Sequence, residues 1–202
     1  MSLLAGSLIV TFSLFFGILI GVTAGYLRCL ESLFMRVMDI FMAFPSIMLA
    51  LALMAIFGRG LFNIVLALGI VYTPRVARIM YGLTLAIREN NYVEAAQAIG
   101  IGRWRMFTHY FILNALSPII VQASFIFAFS ILSAASLDFL GVGIPPEFPT
   151  WGGIASEGRD YLTRAPWIIA FPGLAIVLVT LSLNLVGDTV RDALDPRLRN
   201  VL

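Results

Sequence analysis

The sequence predicts an all-α, polytopic membrane protein of about five transmembrane helices, and three observations predict it. Of 202 residues, 60% are apolar and only 12% are charged, whereas soluble chains usually carry about a quarter charged residues. Mean hydropathy is +0.98. Uncharged runs recur at lengths that suit a bilayer, and the 13 basic residues, all of them arginine, gather in alternate connections.

The runs justify the spans in order. Roughly 20 residues at about 1.5 Å each cross a hydrocarbon core of about 30 Å. The first run, Met1 to Leu27, has no charge before Arg28; it lacks the basic start of a signal peptide and reads as a retained helix. Its Gly17, Gly21 and Gly25 form a small-xxx-small stripe suited to close helix packing, with a place on a solute path as the alternative. Residues 28–39 read as a short connection, and Ile40 to Gly58 as the second span. A tight turn at 58–61 contains Gly58 and Gly60. The third run, Gly60 to Pro74, is short and must continue through Arg75 and Arg78, about one to two turns from the far interface, where they snorkel or face a polar interior. Tyr110 to Leu137 and Ala165 to Gly187 make the fourth and fifth spans. Pro45, Pro74, Pro118 and Pro172 fall inside apolar spans, where packed membrane helices tolerate kinks.

Two connections are long, 88–109 and 138–164, and long ordered loops are usually functional. Arg28, Arg36, Arg88, Arg103, Arg105, Arg191, Arg197 and Arg199 fall on one side of the membrane. Arg59, Arg159 and Arg164 fall on the other, with Asp138, Glu147, Glu157 and Asp160. The positive-inside rule makes the first side cytoplasmic, so the amino terminus is expected outside and the carboxyl terminus inside.

Several chemistries are excluded. Without lysine there is no Walker A loop and no Schiff base. Cys29 is alone, so no intrachain disulfide or cysteine-rich metal site forms. His109, the only histidine, has no companion ligand nearby in sequence. Asp188, Asp192 and Asp195 invite a hard-cation reading, but the interleaved Arg191, Arg197 and Arg199 favour local ion pairs. No serine, threonine or cysteine nucleophile has a plausible base, so neither an enzyme nor a metal site is expected.

The inner connection carries the most specific signal. From Arg88 it reads RENNYVEAAQAIGIGRWRMFTHYFILNAL. Asn90 or Asn91 can cap a helix that puts Tyr92, Ala95, Ala96 and Ile99 on one apolar face, with Glu94 and Gln97 beside it. Gly100 and Gly102 end it. A short amphipathic helix at a loop tip suits a protein groove. Glu94-Ala95-Ala96, three residues and then Gly100 resembles the EAA loop of permease subunits of ABC importers. SLDFLGVGIPPEFPTWGGIASEGRDYL from Ser136, and the stretch from Ala165 to DALDPRLR, resemble the second permease subunit of dipeptide, oligopeptide and nickel importers. The likeness covers most of the chain. Tyr110, Ile112 and Leu113 stand where the family has an I-x-L-P pattern, so the isoleucine and proline are unmatched. Family subunits typically have six spans, and this chain matches from the second, so it is expected to lack the first.

The resemblance implies one transmembrane permease domain over residues 1–202 with the type I ABC importer fold. It implies two ATPase subunits, a second homologous permease subunit, an extracytoplasmic solute-binding protein and surrounding lipid, with no nucleic acid. ATP and magnesium would sit on the ATPase partner, and no cofactor is expected in this chain. Tyr92, Glu94, Ala95, Ala96, Gly100, Arg103 and Arg105 would form the coupling surface to the ATPase. Pro145, Pro146, Trp151, Gly152 and Glu157 would present a periplasmic surface to the binding protein, or else anchor a stiff connector. Peptides, glutathione-like compounds and nickel complexes all remain open as solutes. An autonomous channel or secondary transporter would call for intramembrane carboxylates or an inverted repeat, which the sequence does not offer; a non-transporting remnant is the third reading.

Overall fold

The computed structural model describes residues 1–194, and among these it is helical with no strand. Four helices are long and apolar enough to cross a membrane, or five spans if one bent pair counts as a crossing. In chain order they are α1 (Ser2–Tyr26), α2 (Arg28–Met42), α3 (Ser46–Phe57), α4 (Leu61–Arg88), α5 (Asn91–Ala98), α6 (Arg103–Arg105), α7 (Leu116–Phe139), α8 (Trp151–Glu157) and α9 (Trp167–Leu194).

The core is built where α1 meets α4. A Cβ on Gly17 would strike Val76, one on Gly21 would lie 2.5 Å from the Ala77 carbonyl oxygen and from Met80 Cβ, and one on Gly25 would lie 2.7 Å from Thr84 Cβ. The partner numbers rise together, so the two helices run parallel. Missing side chains let the backbones approach closely, and α4 reciprocates with Gly69 against Phe12. Ser13 Oγ donates to the Gly69 carbonyl across this seam at 3.2 Å. Fully buried Ile9, Val22, Ile64, Leu68, Val76 and Met80 fill the space between. Pro74 is accommodated inside α4, which runs on to Arg88.

Parallel neighbours require the chain to cross back between them, and α2 with α3 makes the return. The second span, expected as one run from Ile40 to Gly58, is instead broken: α2 and α3 meet at 95°. Pro45 supplies the reason. It has no N–H to continue a ladder and disfavours helical backbone at Phe44 before it. Residues 28–39, expected as a connecting loop, are the body of α2, whose Glu31 accepts from the Tyr81 hydroxyl at 2.5 Å and whose Asp39 pairs with Arg78. At 12 residues α3 is about 18 Å long, short of the roughly 30 Å core that the unbroken run from Ile40 to Gly58 was expected to cross.

The fourth span is longer than expected. From Arg103 to Phe139 the helix is continuous, passing from α6 through a π-helical segment (Met106–Ile112) and a 3-10 turn (Leu113–Ala115) into α7. Asn114 Nδ2 donates to the Tyr110 carbonyl at 2.6 Å where the wider turn passes into the 3-10 turn. The outermost helix is α9, touching α7 where Gly187 faces Ser124 and exposing Phe171, Leu174, Val177, Leu178, Leu181 and Leu185. No grouping of metal-binding side chains occurs among the described residues. Asp195, Arg197, Arg199 and the DPRLR run lie outside them.

Candidate functional site

The two long connections gather at opposite ends of the bundle. At the arginine-rich end, α5 hangs between the last turn of α4 and α6. Asn90 occupies the backbone position ahead of α5, but its side chain turns back, donating from Nδ2 to the Ala86 and Ile87 carbonyls at 3.2 and 3.1 Å. It closes α4 rather than capping α5. The first turn of α5 is left with Glu94, whose negative charge complements the helix dipole.

The far end of α5 is fixed by backbone geometry. Gly100 has φ +76°, its N–H bonds to the Gln97 carbonyl at 3.0 Å, and the Ile101 N–H reaches the Ala96 carbonyl at 3.1 Å. These paired bonds, with a left-handed residue between helix and exit, form a Schellman ending. No atom lies within 4 Å of a Cβ built on Gly100, so glycine is needed there for conformation and not for space.

The face that α5 buries differs from the one its apolar residues suggested. Val93 and Ala96 turn inward, while Tyr92, Ala95 and Ile99 are exposed, Ile99 at 79%. Inward Val93 and Ala96 join the main core. Tyr92 stacks on Tyr110 with ring centroids 6.1 Å apart. Trp104 lies parallel to Phe107 at 6.2 Å and is 78% exposed. Between α5 and the ends of α1 and α4 opens a polar cavity of about 490 Å³ lined by Arg28, Arg88, Glu89, Glu94, Gln97 and Arg103, with Tyr26 and Leu27. Arg88 Nη1 bonds the Gly25 carbonyl at 2.9 Å, tying α4 to α1 at the cavity's edge. Arg105 is exposed and does not line it. This end therefore presents exposed aromatic and aliphatic side chains around a mixed-charge recess, a surface able to receive another protein.

At the opposite end, the 138–164 connection is stitched down. Gly141, with φ +78°, ends α7 as Gly100 ends α5. Its N–H bonds the Asp138 carbonyl at 2.9 Å and that of Val142 the Leu137 carbonyl at 3.0 Å. Asp138, placed among the loop acids by its sequence, is in fact buried in the last turn of α7. Its Oδ1 accepts the Ile144 N–H at 2.7 Å, folding the loop back over the helix end. Thr150 Oγ1 accepts the Gly153 N–H at 2.9 Å and starts α8. Gly152 meets the backbone of Ala135 with no room for a side chain. Ser2 Oγ accepts the Trp151 N–H at 3.0 Å, the Ser156 hydroxyl donates to the Phe139 carbonyl at 2.9 Å, and the Gly60 N–H donates to the Gly143 carbonyl at 3.2 Å.

The residues that the sequence singled out in this connection thus separate. Gly152 is packed inside, Pro145 and Trp151 are half-buried, and Pro146 and Glu157 are exposed. Glu147, Phe148 and Pro149 share that exposed tip, Phe148 half open to its surroundings. Asp138 as the organiser of the loop was missed because an acid near a helix end carries no mark of which amide it will hold.

Against this geometry the relatives are informative. A family model described as the binding-protein-dependent transport system inner membrane component matches residues 13–200. A putative peptide transport system permease protein of Brucella suis is 44% identical over 98% of this chain and 67% of its own length. The dipeptide transport system permease protein DppC of Alkalihalophilus pseudofirmus is 42% identical over 99% of this chain and 66% of its own. The glutathione transport system permease protein GsiD of Pectobacterium atrosepticum is 40% identical over 98% and 66%. The chain spans about two thirds of the length of these relatives. Among solved structures, the inward-facing MetNI methionine ABC transporter is similar in two crystal forms. One has a TM-score of 0.72 over 96% of this chain and 91% of the other at 19% identity, and the other 0.68 over 95% and 93% at 20%. At such identities the likeness speaks for the fold, that of a type I ABC importer permease. The long apolar helices and the family match together make the chain a multi-pass protein of the inner membrane, and it belongs to the family of binding-protein-dependent transport system inner membrane components.

Proposed function

We propose that the chain is the transmembrane permease subunit of an ABC importer that moves peptides or related small solutes inward, using ATP hydrolysed on a separate subunit. It works with two ATPase subunits, a second permease subunit and an extracytoplasmic binding protein, with the amino terminus outside and the arginine-rich end in the cytoplasm. The observation that carries this reading is α5: a short helix anchored by Val93 and Ala96, closed by Gly100, and presenting Tyr92, Glu94, Ala95 and Ile99 outward beside a polar recess. A helix held on one face and open on the other suits a groove in a partner. ATPase closure acts on the permease only by favouring one of its conformations over another, and α5, bonded through Asn90 to the end of α4, is placed to pass that preference on. Arg103 and Arg105 offer cations at the rim of the same surface. The exposed Pro146–Pro149 tip and Glu157 are the surface offered to the binding protein. The named relatives favour peptides as solute, and those named for glutathione favour a γ-linked peptide as the second choice.

Glu94→Arg tests the coupling role in the complex purified through a tag on this chain and reconstituted with its partners. Expected are normal membrane insertion, recovery of the other subunits, and loss of solute-dependent ATP hydrolysis. Unchanged coupling would overturn the assignment of Glu94, and a tagged chain that brings down neither ATPase nor second permease would overturn the importer reading.

A further inference from the structure

A second cavity, of about 370 Å³, opens between α4, α7 and the end of α2, with Arg75, Arg78, Gln122, Met42, Phe125 and Phe129 on its walls. Its depth is fixed by packing. Val76, next to Arg75, lies against Gly17 of the parallel α1, and the first charge along α1 and its extension is Arg28, eleven residues and about 16 Å further on. Arg75 and Arg78 therefore project from the exposed face of α4 within the apolar belt, where charged side chains face a polar path or a partner and not lipid. The two are not equivalent. Arg78 pairs with Asp39, whereas no carboxylate among the described residues lies within ion-pair distance of Arg75. Arg75 instead rests over the Phe129 ring, 5.6 Å from its centroid. Arginine cannot shed its proton to escape this setting. The cavity is thus lined by two guanidiniums and an amide; with Arg78 matched by the Asp39 carboxylate, the Arg75 charge is left over in mostly apolar walls.

We propose that this cavity is a station on the solute path that receives a carboxylate, Arg75 gripping it through its planar fork with Gln122 beside it. The ligand class is a small carboxylate-bearing solute, and the free carboxyl terminus of a peptide is its natural form. The volume falls within the range of small-molecule pockets, about 300–1,000 Å³, and takes a dipeptide-sized group. A lipid phosphate is a poor occupant at this depth, and the planar fork of arginine matches a carboxylate in two bonds at once. This inference rests on the importer reading above, and it assigns that reading a recognition group inside the membrane.

The test uses the permease–ATPase complex in nanodiscs without binding protein, with dialanine and dialanine amide as probes and saturation-transfer NMR as the measure of Kd. Wild type is expected to bind dialanine in preference to its amide. Arg75→Gln should weaken dialanine by about tenfold, as loss of a charged hydrogen-bonding partner does, and leave the amide unchanged. Arg75→Lys, which keeps the charge but not the planar fork, should retain part of the preference, binding dialanine between wild type and Arg75→Gln. An unchanged dialanine Kd in Arg75→Gln, an equal loss for both probes, or failure of both variants to assemble with the second permease would overturn the carboxylate station, the last by showing that Arg75 serves a subunit contact. Uptake of labelled dialanine by wild-type proteoliposomes containing binding protein is scored separately, and its absence would overturn the peptide-importer reading itself.

Discussion

Gly21→Ala adds a single methyl at the close seam between α1 and α4. The new Cβ would lie 2.5 Å from both the Ala77 carbonyl oxygen and Met80 Cβ, where ordinary contacts between carbons begin at about 3.5 Å. Neither neighbour is a flexible tip, so α1 and α4 must part by about 1 Å over that turn. Overpacking of this kind costs roughly 1–3 kcal/mol. Gly82→Ala on the same α4 supplies the control: Gly82 is exposed and no atom lies within 4 Å of a Cβ built there. Removing a glycine from a helix interior at such a site stabilises by roughly 0.5–1 kcal/mol. At about 2–4 °C per kcal/mol for a chain of this size, Gly21→Ala should lower Tm by about 2–12 °C and Gly82→Ala should raise it by about 1–4 °C. Thermal unfolding in detergent, followed by the fluorescence of Trp104, Trp151 and Trp167, reads both. Equal shifts for the two variants, or an unmoved Gly21→Ala, would refute the reasoning that contact distance and not glycine content governs this seam.

Two further outcomes follow from the ends of the bundle. Gly100→Ala forces a Cβ into a left-handed turn and should cost about 1 kcal/mol of local stability, seen as faster amide exchange in α5 with no change in overall Tm, while Gly100→Asn should lose less. Asp138→Ala leaves the buried Ile144 N–H without its acceptor, a loss of roughly 1–3 kcal/mol; hydrogen exchange at 142–150 should accelerate while that of α1 and α4 is unchanged.

Close packing of α1 on another helix was legible because glycine at every fourth position of a helix leaves a visible furrow, but nothing in the stripe marks α4 as the partner. The arginines at the ends of the bundle were legible for a similar reason, since the cost of burying charge in lipid drives it there; Arg75, near the middle of α4, is the exception. The break at Pro45 was harder, because a proline in an apolar run reads equally as a tolerated kink, and the outcome depends on whether α2 has a polar footing elsewhere; Glu31 finds a hydrogen bond from Tyr81 and Asp39 an ion pair with Arg78. The inward face of α5 was misjudged because Tyr92, Ala95, Ala96, Ile99 and Val93 are all apolar, and with eight residues the helix carries too few turns for periodicity to choose among them. Asn90 and Asp138 act through bonds to distant or preceding backbone groups, which a single side chain does not announce.

The continuity of α4 has a mechanical consequence. At one end its entry turn is bonded to the outer connection through Gly60 and Gly143; at the other, the Asn90 side chain clips α5 to its last carbonyls. Between these ends the helix is 28 residues, about 42 Å, and Arg75 stands near its midpoint. A stiff rod fastened at both ends behaves as a see-saw. Tipping it by about 10° around Arg75 would carry each end roughly 4 Å in opposite directions over arms of about 21 Å. Any event that moves the α5 end must then be felt at the 138–164 end, and in equal thermodynamic measure a ligand seated at the 138–164 end biases the α5 end. The fulcrum of that motion would be the carboxylate station itself.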